Sequence, residues 1–416
     1  MNDILQQLMR DATRLTRAGR LDEATEAIQR ALRGEVPAPA APSGTTPKPD
    51  AAEPMKSVAV TLDATATEPG GNVFTVDTRD YDAAEADFAA GEAAHHQSLQ
   101  TTTDYVHEEK PVDFGVNNAP GEFISGTHTH ASKSLHYKLY VPAVHAHTAQ
   151  PLPLVVMMHG CTQDPDDFAA GTGMNEVARE QGFFVLYPAQ SQSANASRCW
   201  NWFQPGDQKR GRGEPALIAA MTKAVMKQHH IDPRRVYIAG LSAGGAMATI
   251  IAEAYPEIFA AVGVHSGLPR GAASNVMEAF SVMQSGDTAA RMSGIRMQMS
   301  VPTIVFHGDQ DQTVHPRNGE QVIAAVLSGD GADAWQFPAG DGPRIEKGRS
   351  ATGRRYTRAT YADDHGTAMV EHWVVHGAGH AWSGGDASGT YTDADGPDAT
   401  REMLRFFRAH PRYQTR

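Results

Sequence analysis

The 416-residue chain is poor in cysteine, in positive charge and in long apolar runs, and each shortage excludes a class of protein. Two cysteines, Cys161 and Cys199, are too few for a disulfide-stabilised scaffold. The 36 basic residues are outnumbered by 48 acidic ones, and the resulting charge of −12 repels nucleic acid and anionic lipid. No apolar run approaches the roughly 20 residues that span a bilayer. We therefore expect no nucleic-acid partner and no membrane span.

The first 118 residues predict three segments of different character. Apolar residues in 1–33 recur at helical spacing on both sides of Gly19, which predicts a helical hairpin. Residues 34–55 are rich in proline and alanine and predict an extended linker. Residues 56–118 show little periodicity, and we expect an irregular segment packed on the main domain. The N-terminus lacks the basic start and apolar core of a secretory signal, so we expect a cytoplasmic protein.

Residues 119–416 predict a single catalytic domain of the α/β class. Short apolar runs alternate there with stretches of helical periodicity, a pattern typical of a mostly parallel sheet covered by helices on both faces. The runs expected to form strands are 135–141, 154–158, 183–187, 236–239, 261–264, 303–306 and 370–375.

The clearest motif is Gly-Leu-Ser-Ala-Gly at residues 240–244. It follows the expected strand 236–239 and precedes a helical pattern over 246–254, which is the order that a nucleophile elbow needs. In such an elbow a tight turn holds the serine in a strained backbone conformation, and glycines remove Cβ atoms that would clash. The motif predicts an α/β-hydrolase fold with Ser242 as the nucleophile.

A serine nucleophile needs an imidazole base and an acid that orients the imidazole, and in this fold they follow in the order serine, acid, histidine. Asp309 and Asp311 both follow the expected strand 303–306, and either could be the acid. His380 follows two glycines after the last expected strand and is the predicted base. His376 and His372 are alternatives, although a histidine in or at the end of a strand is more often a packing residue.

Acyl transfer also requires N–H donors for the developing oxyanion. The residue after the nucleophile, Ala243, should supply one donor. The turn after the strand 154–158 should supply the other, through the backbone N–H of Cys161. An ordinary turn between a strand and a helix is the alternative interpretation of that segment.

Together these motifs resemble the esterase family of polyhydroxybutyrate depolymerases, which also contains feruloyl and acetyl-xylan esterases. The matching segments are 159–163, 199–203, 212–214, 240–246, 255–260, 307–311 and 379–382. The resemblance implies Ser242, Asp311 and His380 as the triad and Cys161 as an oxyanion donor. We expect three departures from secreted depolymerases: no signal peptide, no substrate-binding module after the catalytic histidine, and an added helical hairpin.

The two cysteines and three tryptophans lie in segments expected near the site. The resemblance favours a disulfide between Cys161 and Cys199, whereas a cytoplasmic location favours two reduced thiols. Aromatic rings suit a polyester chain or a feruloyl group, and core packing is the alternative for each ring. We expect at least one tryptophan to line the cleft and to bind substrate, among Trp200, Trp202 and Trp382.

The predicted activity is serine ester hydrolysis through an acyl-enzyme, with 3-hydroxybutyrate-type polyesters, their oligomers or small esters as substrates. A feruloyl or acetyl-xylan esterase is one alternative, and a non-catalytic adaptor that binds a polymer granule or a protein is another. His128 and His130 share one strand face near His136, but two imidazoles are a weak metal signal. We therefore expect neither a metal nor a cofactor. The sequence does not indicate an oligomeric state.

Overall fold

The computed structural model describes residues 120–287, 301–328 and 342–412, all of which belong to one unit. The predicted hairpin at 1–33, the linker at 34–55 and the irregular segment at 56–118 lie outside the described residues and stay predictions.

A ten-stranded sheet organises the described residues. Its strands are β1 (Glu122–His130), β2 (Lys133–Val141), β3 (Leu152–Met158), β4 (Phe184–Ala189), β5 (Ile231–Leu241), β6 (Ala261–His265), β7 (Thr303–Gly308), β8 (Arg344–Arg349), β9 (Arg355–Ala362) and β10 (Ala368–Val375). They are ordered β1-β2-β4-β3-β5-β6-β7-β10-β9-β8. The central pairs from β4 to β10 are parallel, and the pairs at both ends are antiparallel. The predicted α/β class with a mostly parallel sheet is confirmed.

Helices cover both faces of this sheet. They are α1 (Pro165–Thr172), α2 (Met174–Gln181), α3 (Gly213–Gln228), α4 (Ala243–Ala254), α5 (Val276–Ser285), α6 (Arg317–Leu327) and α7 (Ala399–Arg408). The apolar residues of α3, α4, α5 and α6 belong to one core cluster. Those of α1, α2 and α7 belong to a second cluster.

The central strand β3 is apolar throughout because it is buried on both faces. In β3, Leu154 and Val156 pack in the first cluster, whereas Val155 and Met157 pack in the second. Since successive strand side chains point to opposite faces, a continuous apolar run fills both cores.

The topology brings the turns that contain the predicted site residues together at the carboxyl ends of the parallel strands. Strands β3, β5, β6, β7 and β10 are consecutive parallel neighbours, so their carboxyl ends lie side by side. The turns that follow β3, β5, β7 and β10 contain Cys161, Ser242, Asp311 and His380, and α4 begins with Ala243 directly after Ser242. A separate parallel pair, β11 (Trp382–Ser383) and β12 (Thr392–Asp393), follows β10.

Within residues 120–287, 301–328 and 342–412, no helix combines the length and the apolar character that crossing a bilayer would take. The same part of the chain holds no group of three or more side chains suited to a metal ion. His128 and His130 lie in β1, and the neighbouring His136 hydrogen-bonds Thr127 through Nδ1 at 2.8 Å.

Candidate active site

Ser242 occupies the sharp turn between β5 and α4. Its φ of 57° and ψ of −122° form a strained conformation for a residue with a side chain. The Ser242 N–H donates to the carbonyl of His265 at 2.8 Å, which fixes the turn against the end of β6. With 8% of its surface exposed, the serine is largely shielded from solvent.

Two glycines make this turn sterically feasible. A Cβ atom on Gly240 would overlap the backbone of Gly244, and one on Gly244 would overlap the carbonyl group of Met158. The glycines of the motif therefore allow the backbones of β5, α4 and the end of β3 to approach closely.

His265 braces the elbow from the neighbouring strand. Its ring stacks on Trp382 with centroids 5.2 Å apart, and its Nε2 accepts a hydrogen bond from the Ser383 N–H at 2.9 Å. Burial, reinforced by the nearby His307 and His380, lowers the pKa of His265 to about 3. The neutral ring can therefore accept the Ser383 N–H and link the elbow to the segment after His380.

Asp311 and His380 form a close hydrogen-bonded pair. His380 Nδ1 lies 2.7 Å from Asp311 Oδ2. The other carboxylate oxygen, Oδ1, accepts the N–H groups of Thr313 and Val314 at 2.9 and 2.8 Å. The Asp311 side chain is fully buried, whereas 10% of the His380 side chain is exposed. The acid is therefore fixed on both oxygens, and Nε2 of His380 is the ring nitrogen that Asp311 leaves available.

The electrostatic surroundings keep Asp311 ionised. Burial by itself would raise the pKa of this carboxyl group, but the charge and hydrogen bonds of His380 and His307 hold the pKa well below its usual range. A permanent carboxylate is what an orienting acid requires.

The two alternative residues, Asp309 and His376, bond to each other. His376 Nδ1 lies 2.8 Å from Asp309 Oδ2, and the Gly377 N–H donates to Asp309 Oδ1 at 2.7 Å. This second pair joins the same two turns as Asp311 and His380. His372, the remaining alternative base, lies within β10.

The turn after β3 lies against the nucleophile. A Cβ atom on Gly160 would be 3.7 Å from the Ser242 Cβ. The Gly160 N–H donates to Gln163 Oε1 at 2.9 Å, which closes the turn around Cys161. Ala243 is the first residue of α4, and the first N–H groups of a helix have no partner within the helix and point toward its positive end. Both predicted oxyanion donors thus come from backbone next to Ser242.

Cys161 and Cys199 are joined by a disulfide bond across 38 positions of sequence. The bond ties the turn after β3 to the segment after β4, and the Thr162 N–H reinforces this link by donating to Ser197 O at 2.7 Å.

We expect the double variant Cys161→Ser/Cys199→Ser to have a free energy of unfolding lower by roughly 3–4 kcal/mol, because the cross-link restricts the unfolded chain. Denaturant unfolding with and without dithiothreitol measures this difference. Reductant should bring the wild-type protein to the value of the variant and leave the variant unchanged. Equal stability of both proteins, with two titratable thiols in the non-reduced wild type, would contradict the disulfide.

All three tryptophans pack inside the domain, whereas at least one of them was expected to line the cleft and to bind substrate. Trp200, Trp202 and Trp382 are 0%, 4% and 1% exposed. Trp200 Nε1 donates to His159 O, and Trp382 Nε1 donates to Thr400 Oγ1, each at 3.0 Å. Buried indoles require such partners, and the bond from Trp200 holds the turn after β3.

Glu214 braces the segment that contains Cys199. Its Oε1 accepts from Gln190 Nε2 and Asn201 Nδ2 at 2.6 Å each, and its Oε2 accepts the Asn201 N–H at 2.8 Å. Burial raises the pKa of Glu214 to about 7, although the hydrogen bonds from Asn201 and Gln190 act to lower it.

This raised pKa predicts a pH-dependent contribution to stability. Between the unfolded value near 4.5 and the folded value near 7, the folded protein binds more protons, so the contribution of Glu214 falls as pH rises through this window. We subtract the free energy of unfolding of Glu214→Gln from that of the wild type. This difference should decrease by up to about 3 kcal/mol between pH 4.5 and 8. Urea unfolding of both proteins at each pH measures it, and a constant difference would contradict the assignment.

Residues 386–393 also lie against the site, although no motif pointed to them. Thr390 donates to Asp167 through its N–H at 2.9 Å, and Gln163 Nε2 donates to Thr390 O at 3.1 Å. Tyr391 lies beside His380, with ring centroids 6.3 Å apart. The stretch is rich in glycine, serine, aspartate and threonine, which predicts only a loop.

Comparison with known proteins agrees with this architecture. The family model "Esterase PHB depolymerase" matches residues 135–336. Poly(3-hydroxyalkanoate) depolymerase C of Paucimonas lemoignei is 34% identical over 237 residues, which cover 55% of this chain and 54% of the relative. Acetylxylan esterase A of Talaromyces purpureogenus is 31% identical over 224 residues, 50% of this chain and 57% of the relative.

A second depolymerase and one solved structure extend the comparison. The poly(3-hydroxybutyrate) depolymerase of Ralstonia pickettii is 28% identical over 267 residues, 58% of this chain and 50% of the relative. The chain thus spans about half the length of the curated depolymerases it matches. The acetyl xylan esterase from Aspergillus awamori shares the fold, with a TM-score of 0.53 and 20% identity over 69% of this chain and 99% of that one. The chain has an α/β-hydrolase fold, and its residues 135–336 are similar to the polyhydroxybutyrate depolymerase family of esterases.

Proposed function

We propose that the chain is a serine carboxylic-ester hydrolase that acts through an acyl-enzyme on poly(3-hydroxybutyrate)-type polyesters or their oligomers. The observation that carries this proposal is the 2.7 Å hydrogen bond between Asp311 and His380. The turns of these two residues and the turn of the strained Ser242 all follow the carboxyl ends of parallel strands in one sheet. Strain at a serine and a buried, ionised acid behind an imidazole have a common explanation in nucleophilic catalysis.

In the proposed acylation, His380 Nε2 takes the proton of Ser242 Oγ as that oxygen attacks the ester carbonyl carbon. Asp311 holds Nδ1–H and stabilises the imidazolium that forms. The N–H groups of Cys161 and Ala243 donate to the oxyanion of the tetrahedral intermediate. The intermediate collapses with cleavage of the ester C–O bond, and His380 gives its proton to the departing alcohol.

Deacylation repeats these steps with water. His380 takes a proton from water, the hydroxide attacks the acyl-enzyme, and collapse returns the proton to Ser242 Oγ. The sum is one ester and one water converted to an acid and an alcohol. Every proton in this scheme has a carrier in the chain, so we propose no metal and no cofactor.

The substrate class is supported by the relatives' names and by the family. Two matched relatives are named as depolymerases of poly(3-hydroxyalkanoate) and poly(3-hydroxybutyrate). The alternative is a feruloyl or acetyl-xylan esterase, because feruloyl esterase B of Thermothelomyces thermophilus and acetylxylan esterase A of Talaromyces purpureogenus also match.

One assay separates these substrates. Purified protein is given amorphous polyhydroxybutyrate, its soluble oligomers, methyl ferulate and acetylated xylan side by side. We expect the highest kcat/KM on the oligomers and release of 3-hydroxybutyrate from the polymer. Turnover of methyl ferulate or acetylated xylan alone would instead establish the alternative, and no turnover of any ester would favour the non-catalytic adaptor.

The cytoplasmic location and the partners stay predictions. A disulfide persists in oxidising compartments more readily than in the cytosol, so the Cys161–Cys199 bond argues against the predicted location. Cell fractionation, with thiol titration of the protein recovered from each fraction, tests the location.

A further inference from the structure

Tyr391 contacts both halves of the proposed machinery, the base and the oxyanion turn. Its ring packs edge-on to His380 at an interplanar angle of 78°. Its hydroxyl oxygen lies 3.2 Å from Thr162 Oγ1. Its backbone carbonyl accepts the Trp382 N–H at 2.7 Å. The side chain thus reaches from the segment that contains the base to the residue after Cys161.

Tyr391 and Thr162 each have a strained backbone. Their φ angles are 53° and 67°, in the left-handed region that β-branched and bulky residues rarely adopt. Ser242, at 57°, has the same unusual feature. Such strain costs on the order of 1–3 kcal/mol per residue and persists where surrounding contacts enforce it, most often at functional sites.

The direction of the hydrogen bonds follows from the protons that are available. Thr162 Oγ1 donates its one proton to the carbonyl of Cys161 at 2.6 Å. A hydroxyl has one donor proton and two acceptor lone pairs. Tyr391 must therefore donate to Thr162. The resulting chain runs from the Tyr391 hydroxyl through Thr162 to the Cys161 carbonyl.

This chain fixes the peptide group between Cys161 and Thr162 at both ends. The carbonyl accepts from the Thr162 hydroxyl, and the Thr162 N–H donates to Ser197 O at 2.7 Å. On the other side of Cys161, the Gly160 N–H is held by Gln163. The proposed oxyanion donor, Cys161 N–H, therefore lies between two anchored peptide groups.

We propose that Tyr391 is a positioning residue that fixes the backbone N–H of Cys161, the oxyanion donor, relative to the imidazole of the base His380. This inference rests on the proposed function, because it concerns the same site. The hydroxyl acts on Cys161 through Thr162, and the ring limits how far the His380 imidazole can turn. A donor fixed in advance stabilises the oxyanion without reorganisation during the reaction, so its loss should appear in kcat and not in KM.

The test is Tyr391→Phe, which keeps the ring and removes the hydroxyl. On a soluble p-nitrophenyl ester we expect kcat to fall about 10-fold while KM stays within about twofold. An alkyl boronic acid, which forms a tetrahedral anion on a serine hydroxyl, should bind about 10-fold more weakly. The matched control is Tyr137→Phe on β2, which should keep the wild-type kcat.

Thr162 provides the second set of variants. Thr162→Val breaks the same chain and also removes the donor to the Cys161 carbonyl, so kcat should fall at least as far as in Tyr391→Phe, whereas Thr162→Ser keeps the hydroxyl and should retain most of kcat. Because both changes break the same hydrogen-bonded chain, the double variant Tyr391→Phe/Thr162→Val should lose no more than the worse single variant. Thermal unfolding by circular dichroism checks that each variant is folded.

Two results would overturn the inference alone: a Tyr391→Phe enzyme with wild-type kcat and boronate affinity, or losses from the two single changes that multiply in the double variant. If Tyr391→Phe does not fold, the comparison of Thr162→Val with Thr162→Ser decides the question, and equal kcat for these two overturns it. A wild-type protein that hydrolyses no ester overturns the proposed function, and this inference with it.

Discussion

Replacing Ser242 with alanine should reduce ester hydrolysis by about 10⁴-fold or more while the fold stays intact. The serine, the imidazole and the carboxylate act as a unit, so removal of the nucleophile leaves only the contribution of substrate binding and the oxyanion donors. The measurement is kcat/KM on a soluble ester, with circular dichroism as the check on folding.

The control for this change is Ser281→Ala, which makes the same substitution on the exposed face of α5. That variant should keep wild-type activity and stability. If Ser242→Ala kept more than about a tenth of the wild-type rate, Ser242 would not be the nucleophile.

The second large effect is expected from Asp311. Asp311→Asn should lower kcat by about 10⁴-fold, because an amide at this position favours the wrong tautomer of His380. The fold should tolerate the change, since Asn can still accept the N–H groups of Thr313 and Val314.

Asp309→Asn is the matched comparison, because it makes the same change two residues away. Asp309 bonds His376 and not His380, so we expect kcat to fall by less than about 10-fold. The kcat of both variants on one soluble ester decides between the two carboxylates. A larger loss from Asp309→Asn would assign the orienting acid to Asp309.

The sheet was predictable where burial on both faces makes a strand continuously apolar. The predicted strands 154–158 and 303–306 lie within β3 and β7. By contrast, β8 carries Arg344, Glu346 and Lys347 at the sheet edge, where charged side chains reach solvent and no apolar run forms. The strands at that edge were therefore not predicted.

The site was predictable to the extent that a local motif determines geometry. Gly240 and Gly244 flank Ser242 for a steric reason that is visible in the sequence. The choice between Asp309 and Asp311 required tertiary contacts with His376 and His380, because the two carboxylates follow the same strand.

The tryptophans and Tyr391 show what local sequence leaves open. An aromatic residue next to a motif can pack in the core or line the site, and Trp200 is fully buried in the core. Tyr391 reaches Thr162 across 229 positions of sequence, and its strained backbone is a tertiary effect that composition does not reveal.

The most direct test of the central claim is to identify the residue that forms the covalent intermediate. The protein is treated with a fluorophosphonate, which modifies activated serines, and the modified peptide is mapped by mass spectrometry while ester hydrolysis is followed. We expect one modification, on Ser242, with activity lost in proportion to labelling and with much slower labelling of Asp311→Asn. Modification of another serine, or ester hydrolysis that survives complete labelling of Ser242, would contradict the account.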